Sequence, residues 1–273
     1  MLQRLSRLDR RLIFLIIALA VTLPFLFPLG LPVTPSSPAR GLYDAINKLP
    51  PNSLVLMSFD YGPSTAVELE PMARAGLRQC FRRGHRVVAM CISPEGALQS
   101  RNVLTPVVQE MGKERGVHWV NLGYKAGADK VLRSLGSGFP TVFLRDIDGT
   151  PINQLPLMSD VKDWSSFALV LDWSSGYPGA LEYIKVVAST YKRPLAVGVT
   201  AVSAPEFYPY LNSGQLEGML GGLRGAAEYE LLVKEPGTAT LAMDAQSVAH
   251  FTLAGFIVFS NVVYFLERRR RRR

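Results

Sequence analysis

Two uncharged hydrophobic runs lie near the ends of the chain, with a long stretch of mixed composition between them. The first run covers residues 12–31 and the second covers residues 248–266. A helix over the second run is about 28 Å long at a rise of ~1.5 Å per residue, close to the hydrocarbon thickness of a bilayer. The pattern therefore predicts two transmembrane helices.

The first run has a rival interpretation as a cleaved signal peptide, because residues 37–39 loosely resemble a small-residue cleavage site. The apolar run is longer than the core of a typical signal peptide, so a membrane helix is favoured. Pro24 and Pro28 are expected to kink or fray its outer half.

Between the two runs, short apolar segments alternate with amphipathic segments. Alternating strands and helices of this length indicate a Rossmann-like α/β fold, with a mostly parallel sheet and helices on both of its faces. The predicted strands are 53–59, 86–92, 117–122, 167–171 and 195–200, and the predicted helices are 67–83, 103–115, 126–135 and 179–191.

Three segments depart from this alternation. Asp148 and Gly149 stand between two short β-prone runs, which predicts a surface hairpin over residues 141–153. Residues 215–233 read as a helix in spite of their glycines, and residues 41–48 as a short helical turn. The predicted division is a basic tail (1–11), a first span (12–31), a Pro-rich linker with a short helix (32–52), the α/β domain (53–233), a linker (234–247), a second span (248–266) and a poly-Arg tail (267–273).

The net charge of +8 comes wholly from the two tails. A nucleic-acid-binding domain would spread its basic residues over a folded face, so no nucleic-acid partner is expected. Arginines next to membrane helices favour the cytoplasmic side. The sequence thus predicts a protein of the cell (inner) membrane with both termini in the cytoplasm and the α/β domain on the extracytoplasmic side.

Cysteine and histidine are scarce, with Cys80, Cys91 and three histidines in the chain. The predicted elements put the two cysteines at heights that differ by roughly 10 Å, whereas a disulfide needs Cα atoms within about 7 Å. We therefore expect two buried free thiols. Neither a metal site nor a cofactor is expected.

Ligands of open parallel sheets bind outside the carboxyl ends of the strands. Asp60 and Asp172 each follow an apolar strand directly, so together they could bind a divalent cation or share acid–base work. The favoured alternative is that each aspartate caps the next helix or shapes its turn. The full set of candidates for this crevice is Asp60, Tyr61, Ser64, Tyr124, Lys125, Asp172, Trp173, Ser174 and Thr200.

The segment 146–150, Asp-Ile-Asp-Gly-Thr, resembles the first motif of the haloacid-dehalogenase phosphatases. The resemblance implies a nucleophilic Asp146 and a general acid at Asp148. That family also has a later lysine and an acidic pair that binds Mg²⁺, and no such pair follows Thr150. The hairpin interpretation is therefore favoured. Glycine-rich nucleotide motifs and a G-x-S-x-G elbow are absent from the sequence.

Small residues recur at a spacing of four in the predicted helix 215–233, a spacing that lets two helices approach closely. Packing onto the protein's own sheet is favoured over a contact between protomers. The glycines concerned are Gly218, Gly221, Gly222 and Gly225. Asn261, in the second span, either bonds across a helix interface or is satisfied within its own helix.

The absence of catalytic motifs and the presence of a second membrane anchor favour a non-catalytic role. We expect a structural or partner-binding subunit of a membrane-anchored assembly, whose partners are the lipid bilayer and either further copies of the chain or other membrane proteins. The alternative is a membrane-tethered hydrolase or ligand-binding enzyme that uses Asp60 and Asp172. A separation of more than about 10 Å between these carboxylates would remove its main support.

Overall fold

The computed structural model describes residues 9–271. The ends of the two predicted basic tails, residues 1–8 and 272–273, lie outside the described residues. The chain divides into two compact units. One unit is Val33–Ala239, and the other combines the segments that precede and follow it.

The Val33–Ala239 unit is built on a six-stranded sheet in which every pairing is parallel. Continuous apolar runs make these strands, and most of their residues are buried, as expected for a sheet covered on both faces. The strands are β1 (Leu54–Asp60), β2 (Arg86–Cys91), β3 (Trp119–Tyr124), β4 (Leu169–Ser174), β5 (Leu195–Val199) and β6 (Gly218–Gly221). Their order is β3-β2-β1-β4-β5-β6, so the direction of winding reverses between β1 and β4.

Helices connect and flank these strands, and the predicted Rossmann-like α/β architecture is confirmed. They are α2 (Ser37–Asn47), α3 (Ala66–Arg82), α4 (Gly96–Glu110), α5 (Asp129–Leu135), α6 (Phe139–Val142), α7 (Ala180–Tyr183, continued by a π-helical turn over Ile184–Ala188), α8 (Ala204–Asn212) and α9 (Gly222–Leu232). Helix α8 was not predicted, and α2 begins inside the predicted Pro-rich linker.

The prediction of one helix over residues 215–233 is wrong in its first part. Gly218–Gly221 forms the edge strand β6, and only the following residues form α9. Helix α2 packs directly on this strand: a Cβ at Gly218 would lie 2.0 Å from the backbone nitrogen of Leu42. The glycines of β6 therefore allow a helix and a strand to make backbone contact, which period-based reasoning does not anticipate.

The hairpin predicted over residues 141–153 is reduced to a tight turn, because Phe139–Val142 is a short helix. An antiparallel bridge joins Arg145 to Pro151, and the backbone N–H of Asp146 donates to Thr150 O across the turn at 2.9 Å. The backbone N–H of Ile147, at the tip of this turn, donates to Asn121 O on the edge strand β3, at 2.9 Å. The side chain of Ile147 packs over Gly123. The segment covers an edge that would otherwise be open to pairing with another chain.

Cys80 on α3 and Cys91 on β2 are both buried free thiols, as the sequence predicts. Burial raises the pKa of each thiol far above its usual value. Both groups are therefore protonated and unreactive at neutral pH.

The described residues of the second unit form two helices, α1 (Arg10–Leu26) and α10 (Thr238–Arg271). Helix α1 passes through Pro24 and ends at Leu26, because helical geometry is disfavoured at the residue before Pro28. The helix therefore ends earlier than the predicted span 12–31. Helix α10 begins inside the predicted linker 234–247. Among the described helices, only α10, over Thr238–Leu266, is long and apolar enough to cross a membrane.

Asp244 joins the two segments of this unit. Its carboxylate accepts the backbone N–H groups of Leu29, Gly30 and Leu31, at 3.0, 2.9 and 3.0 Å. These donors follow the end of α1 and have no helical acceptor, so a 2 % exposed carboxylate satisfies them. We call this contact the Asp244 clamp. Arginines 10 and 11, and arginines 268 and 269, lie at the far ends of the two helices from the clamp.

Candidate functional site at the switch point of the sheet

The candidate site lies where the winding of the sheet reverses, at the carboxyl ends of β1 and β4. Ser58 stands opposite Asp172 in the pairing of these strands, and Asp60 stands opposite Ser174. Alternate residues of a strand point to the same face. The four polar side chains therefore share one face, at the position where open α/β sheets bind ligands.

Three donors hold Asp60. Its Oδ1 accepts the backbone N–H groups of Ile92 and Ser93, both at 2.7 Å. Its Oδ2 accepts the hydroxyl of Ser58 at 2.5 Å. The favoured alternative expected Asp60 to cap the helix that follows β1 or to shape the turn before it. Asp60 instead binds backbone N–H groups of the loop after β2.

Asp172 has fewer partners. Its Oδ2 accepts the Ser174 hydroxyl at 2.7 Å, and no donor among the described residues reaches its Oδ1. Burial and then the neighbouring charge of Asp60 raise the pKa of Asp172. At Asp60 the raising effect of burial on the pKa is partly offset by its hydrogen bonds. Since Asp60 has more donors, its ionised form is the better stabilised of the two. When the pair holds one proton, Asp172 is therefore the group that carries it.

Burial sets the ionisation of the pair. Loss of solvent on burial is the largest cause of the pKa shift of both carboxyls, and the pKa of Asp60 is raised to about 6. The pKa of Asp172 is raised well above its ordinary value by burial and then by the charge of Asp60. Two adjacent carboxyls that share one proton behave as a coupled unit.

A chain of hydroxyl groups extends the pair to helix α7. Tyr183 is fully buried, and its hydroxyl donates to Ser58 Oγ at 2.5 Å. On the other side, Ser174 Oγ accepts the backbone N–H of Ala180 at 2.9 Å. Helix α7 is therefore joined to both central strands through the hydroxyls of Ser58 and Ser174. We call Ser58, Asp60, Asp172, Ser174 and Tyr183 the switch-point cluster.

The cluster is sealed from solvent. Asp60 is 2 % exposed and Asp172 is 0 % exposed. A neighbouring pocket of about 190 Å³ is lined by Ser174 and by neither carboxylate. The enzyme interpretation requires the two aspartates to converge on one pocket, and neither of them lines this one. In the described part of the chain, no group of three or more His, Cys, Asp or Glu side chains is arranged to hold a metal ion.

The neighbours of the aspartates in the sequence point to the other face of the sheet. Trp173 is fully buried and fills the space over Gly76 and Gly198, where a Cβ would meet its ring at 2.9 and 2.3 Å. Tyr61 is buried as well, and its hydroxyl has no hydrogen-bond partner among the described residues. Both are core residues, so the structure separates them from the switch-point cluster.

The remaining crevice candidates lie at the same edge of the sheet but outside the cluster. Ser64 and Tyr124 are exposed, and the ammonium of Lys125 lies 5.9 Å from the ring of Phe143. Thr200 is buried, and its hydroxyl lies 2.9 Å from Ser203 Oγ at the start of α8. None of these side chains joins Asp60 or Asp172.

The segment that resembles a phosphatase motif is a structural loop. Arg115 forms a hydrogen bond and an ion pair with Asp146 and lies within ion-pair distance of Asp148. Asp146 Oδ1 also accepts the backbone N–H groups of Asp148 and Thr150, at 3.1 and 2.9 Å. Asp146 does not follow a parallel strand, so the position required by the resemblance is not met.

The predicted helix-packing residues lie in different elements. Gly218 and Gly221 belong to β6, Gly222 begins α9 with a φ of +60°, and Gly225 packs on Leu220. The spacing of four along one helix therefore does not apply. The Asn261 side-chain amide donates to Ile257 O of its own helix, at 2.8 Å.

Sequence reasoning missed Ser58 and Tyr183. Ser58 had a signal, because it is a hydroxyl two positions before Asp60 in an otherwise apolar strand and so shares its face. Tyr183 had no such signal in the sequence, since a tyrosine on an amphipathic helix is usually a core residue.

Comparison with known proteins adds no relationship. No protein-family model matches the chain, and a search of curated proteins finds no significantly similar sequence. The functional argument therefore rests on the geometry of the two units.

Proposed function

We propose that the chain crosses the cell (inner) membrane twice, through α1 and α10, and carries its α/β unit on the extracytoplasmic side. Both helices expose large apolar side chains, such as Phe14, Leu26, Phe251 and Phe265, a surface that suits lipid far better than water. Helix α1 is about 25 Å long at ~1.5 Å per residue, slightly short of a ~30 Å hydrocarbon layer.

The Asp244 clamp supports this topology. It satisfies backbone donors where α1 stops, which matters most at a membrane boundary because unpaired backbone groups are costly there. Helices held together at one end have their other ends on a common side. Those ends carry the arginines, which favour the cytoplasm.

For the α/β unit we propose a non-catalytic role, as a structural or partner-binding subunit of a membrane assembly. The observation that carries this proposal is the sealed switch-point cluster. The two aspartates best placed for chemistry face each other, and their 2 % and 0 % exposure leaves a substrate no access to their oxygens. A general acid or base must reach the reacting atom within about 3 Å.

A partner has a suitable surface at the carboxyl edge of the sheet. At or after the carboxyl end of each of the first five strands, an exposed apolar or aromatic side chain stands at this edge: Val67, Leu98, Tyr124, Tyr177 and Val202. Exposed apolar side chains gathered at one edge are a feature of interaction sites. The partner is a further copy of the chain or another membrane protein.

The test is the mass of the complex after gentle extraction in a mild detergent, measured by native mass spectrometry. We expect a defined oligomer or a stoichiometric complex with one other membrane protein. Val202→Asp should dissociate it, because Val202 is 91 % exposed at the carboxyl edge. Val117→Asp, before β3 at the opposite edge, is the matched control. A monomer in every preparation would contradict the proposal.

The second candidate is a membrane-tethered hydrolase, which the convergence of Asp60 and Asp172 favours. Such an enzyme would have to open the cluster by moving α7, since Tyr183 and Ala180 are tied to it. Hydrolysis of small ester or phosphate probes by the wild type, lost in Asp60→Asn and retained in the exposed control Asp44→Asn, would favour this candidate over the assembly subunit.

A further inference from the structure

A small pocket opens beside the switch-point cluster, at the carboxyl ends of β4 and β5. Its volume is about 190 Å³, and its walls come from β4, β5, α7 and α8. The share of liquid volume taken by one water is ~30 Å³, so the space holds about six waters or a ligand of similar size. Its place in the sheet is one strand away from the reversal of winding, where ligands of this fold class bind.

The lining of this pocket is acidic, with no basic side chain among its residues. Glu182 and Glu206 contribute the carboxylates, and Ser174 and Ser203 contribute hydroxyls. Glu206 is exposed at the mouth, whereas Glu182 is 5 % exposed at the wall. The charge therefore favours a cation.

One oxygen of Glu182 accepts a hydrogen bond, and the other forms only a long ion pair. Its Oε2 accepts the backbone N–H of Gly179 at 2.9 Å. Its Oε1 has Lys185 Nζ at 3.8 Å, which is beyond hydrogen-bond length, and that lysine is mostly solvated. A largely buried carboxylate with an incompletely used oxygen is the electrostatic centre of the pocket.

The remaining walls are apolar and aromatic. Leu181, Val199 and Phe207 line the inside, and the ring of Tyr177, 81 % exposed, stands at the rim. A hydrated metal ion gains little from such walls, whereas an alkyl chain buries apolar surface on them and an ammonium group is attracted to ring faces.

From these features we infer that the pocket binds the ammonium group and short alkyl chain of an alkylamine. The same chemistry has two sources, a free small amine and the side chain of a lysine in a partner protein. This inference does not depend on the membrane topology, and amine binding is measured separately from it. Tyr177 belongs both to the pocket rim and to the proposed partner surface.

The experiment is a ligand titration by saturation-transfer NMR on the full-length protein in an uncharged maltoside detergent. n-Butylammonium is the probe, with n-butanol and butyrate as neutral and anionic analogues of the same size. We expect saturable binding of n-butylammonium with a Kd of about a millimolar, the range of a five-atom ligand. Butanol should bind more weakly and butyrate should not bind.

Variants locate the binding. Glu206→Gln should raise the Kd about fivefold, which is the usual strength of one partly exposed ion pair. Glu217→Gln, an exposed glutamate at the amino end of β6, is the matched control and should leave the Kd unchanged. Both positions are exposed, so neither change threatens folding.

A second ligand separates the two sources. Nα-acetyl-lysine N-methylamide binding about tenfold tighter than n-butylammonium would identify a lysine side chain, and binding equal or weaker would identify a free amine. Three results would overturn the inference: no saturation below ~50 mM n-butylammonium, equal binding of butanol or butyrate, or an unchanged Kd in Glu206→Gln.

Discussion

At the scale of single residues, the proton shared by Asp60 and Asp172 links folding to pH. Burial raises the pKa of Asp60 from 3.8 to about 6 and raises that of Asp172 further above its usual range. A carboxyl with a raised pKa binds its proton more tightly in the folded state than in the unfolded state. Its contribution to the free energy of unfolding is therefore largest at low pH and falls as the pH rises.

We predict that Asp172→Asn removes most of this pH dependence. No proton titrates at position 172 in this variant, so at pH 8 it should be more stable than the wild type, and the difference should grow as the pH rises. The difference should shrink as the pH falls toward 3.8, where the carboxyl of the unfolded chain is itself protonated. Thermal unfolding of the full chain in detergent, followed from pH 4.5 to 8.5, measures it.

The variant must be compared with the wild type, because burial also lowers the pKa of His85. Below pH 6.5 this makes the free energy of unfolding rise with pH, opposite to the effect of the aspartates. His85 is common to both proteins, so the difference isolates the pair. Asp44→Asn, an exposed aspartate, is the control and should follow the wild type. An Asp172→Asn protein less stable at pH 8 would show that Asp172 is not the group that holds the proton.

At the scale of elements, the contact between α2 and β6 depends on the absence of a side chain at Gly218. An added Cβ would lie 2.0 Å from Leu42 N, so the helix must shift. Gly218→Ala should lower the free energy of unfolding by ~2–3 kcal/mol, as overpacking does in other cores. At Gly176 a Cβ meets nothing within 4 Å, so Gly176→Ala is the matched control. Equal denaturation midpoints for the two variants would refute the close contact.

The Asp244 clamp makes a prediction about the segment after α1. Asp244→Ala leaves three backbone donors without their acceptor, each worth about 1 kcal/mol or more. Hydrogen exchange at Leu29–Leu31 should therefore accelerate at least tenfold, measured by mass spectrometry on the detergent-solubilised chain. Gln246→Ala, an exposed change on the same helix, should leave it unaltered. Unchanged exchange in Asp244→Ala would mean that the clamp does not hold the segment.

Strands and helices with a clear hydrophobic pattern could be predicted from the sequence. Elements whose conformation depends on packing against distant residues could not. Apolar strand runs and amphipathic helices identified five of the six strands, because burial on both faces leaves a continuous signature. Strand β6 is only Gly218–Gly221, and its glycines read as helix interruptions until the neighbouring α2 is known. The predicted hairpin was correct at its turn, where Arg145 bridges Pro151, but its first arm is the short helix Phe139–Val142.

The candidate site was predictable to a similar degree. Strand-end position identified Asp60 and Asp172, and the parallel register brings them together. Their burial was not predictable, because it depends on α7, whose Tyr183 covers Ser58 from 125 residues away. Position in a sheet can thus be read from a sequence, whereas access to solvent depends on what packs above it.

At the scale of the whole molecule, the two helices with exposed apolar side chains and the α/β unit support our proposal of a membrane-anchored protein. The charge distribution agrees with it, since the basic excess lies beside the hydrophobic runs and the rest of the chain is neutral. We propose that residues 1–11 and 267–273 lie on one side of the membrane and that the α/β unit lies on the other.

Cysteine labelling in intact cells tests this topology directly. Cys80 and Cys91 are buried, so the wild-type protein should not react with a membrane-impermeant maleimide. The exposed Ser159→Cys variant should be labelled from outside, and Ser6→Cys should be labelled only after the cells are permeabilised. Labelling of both variants from the same side would contradict the two-span account.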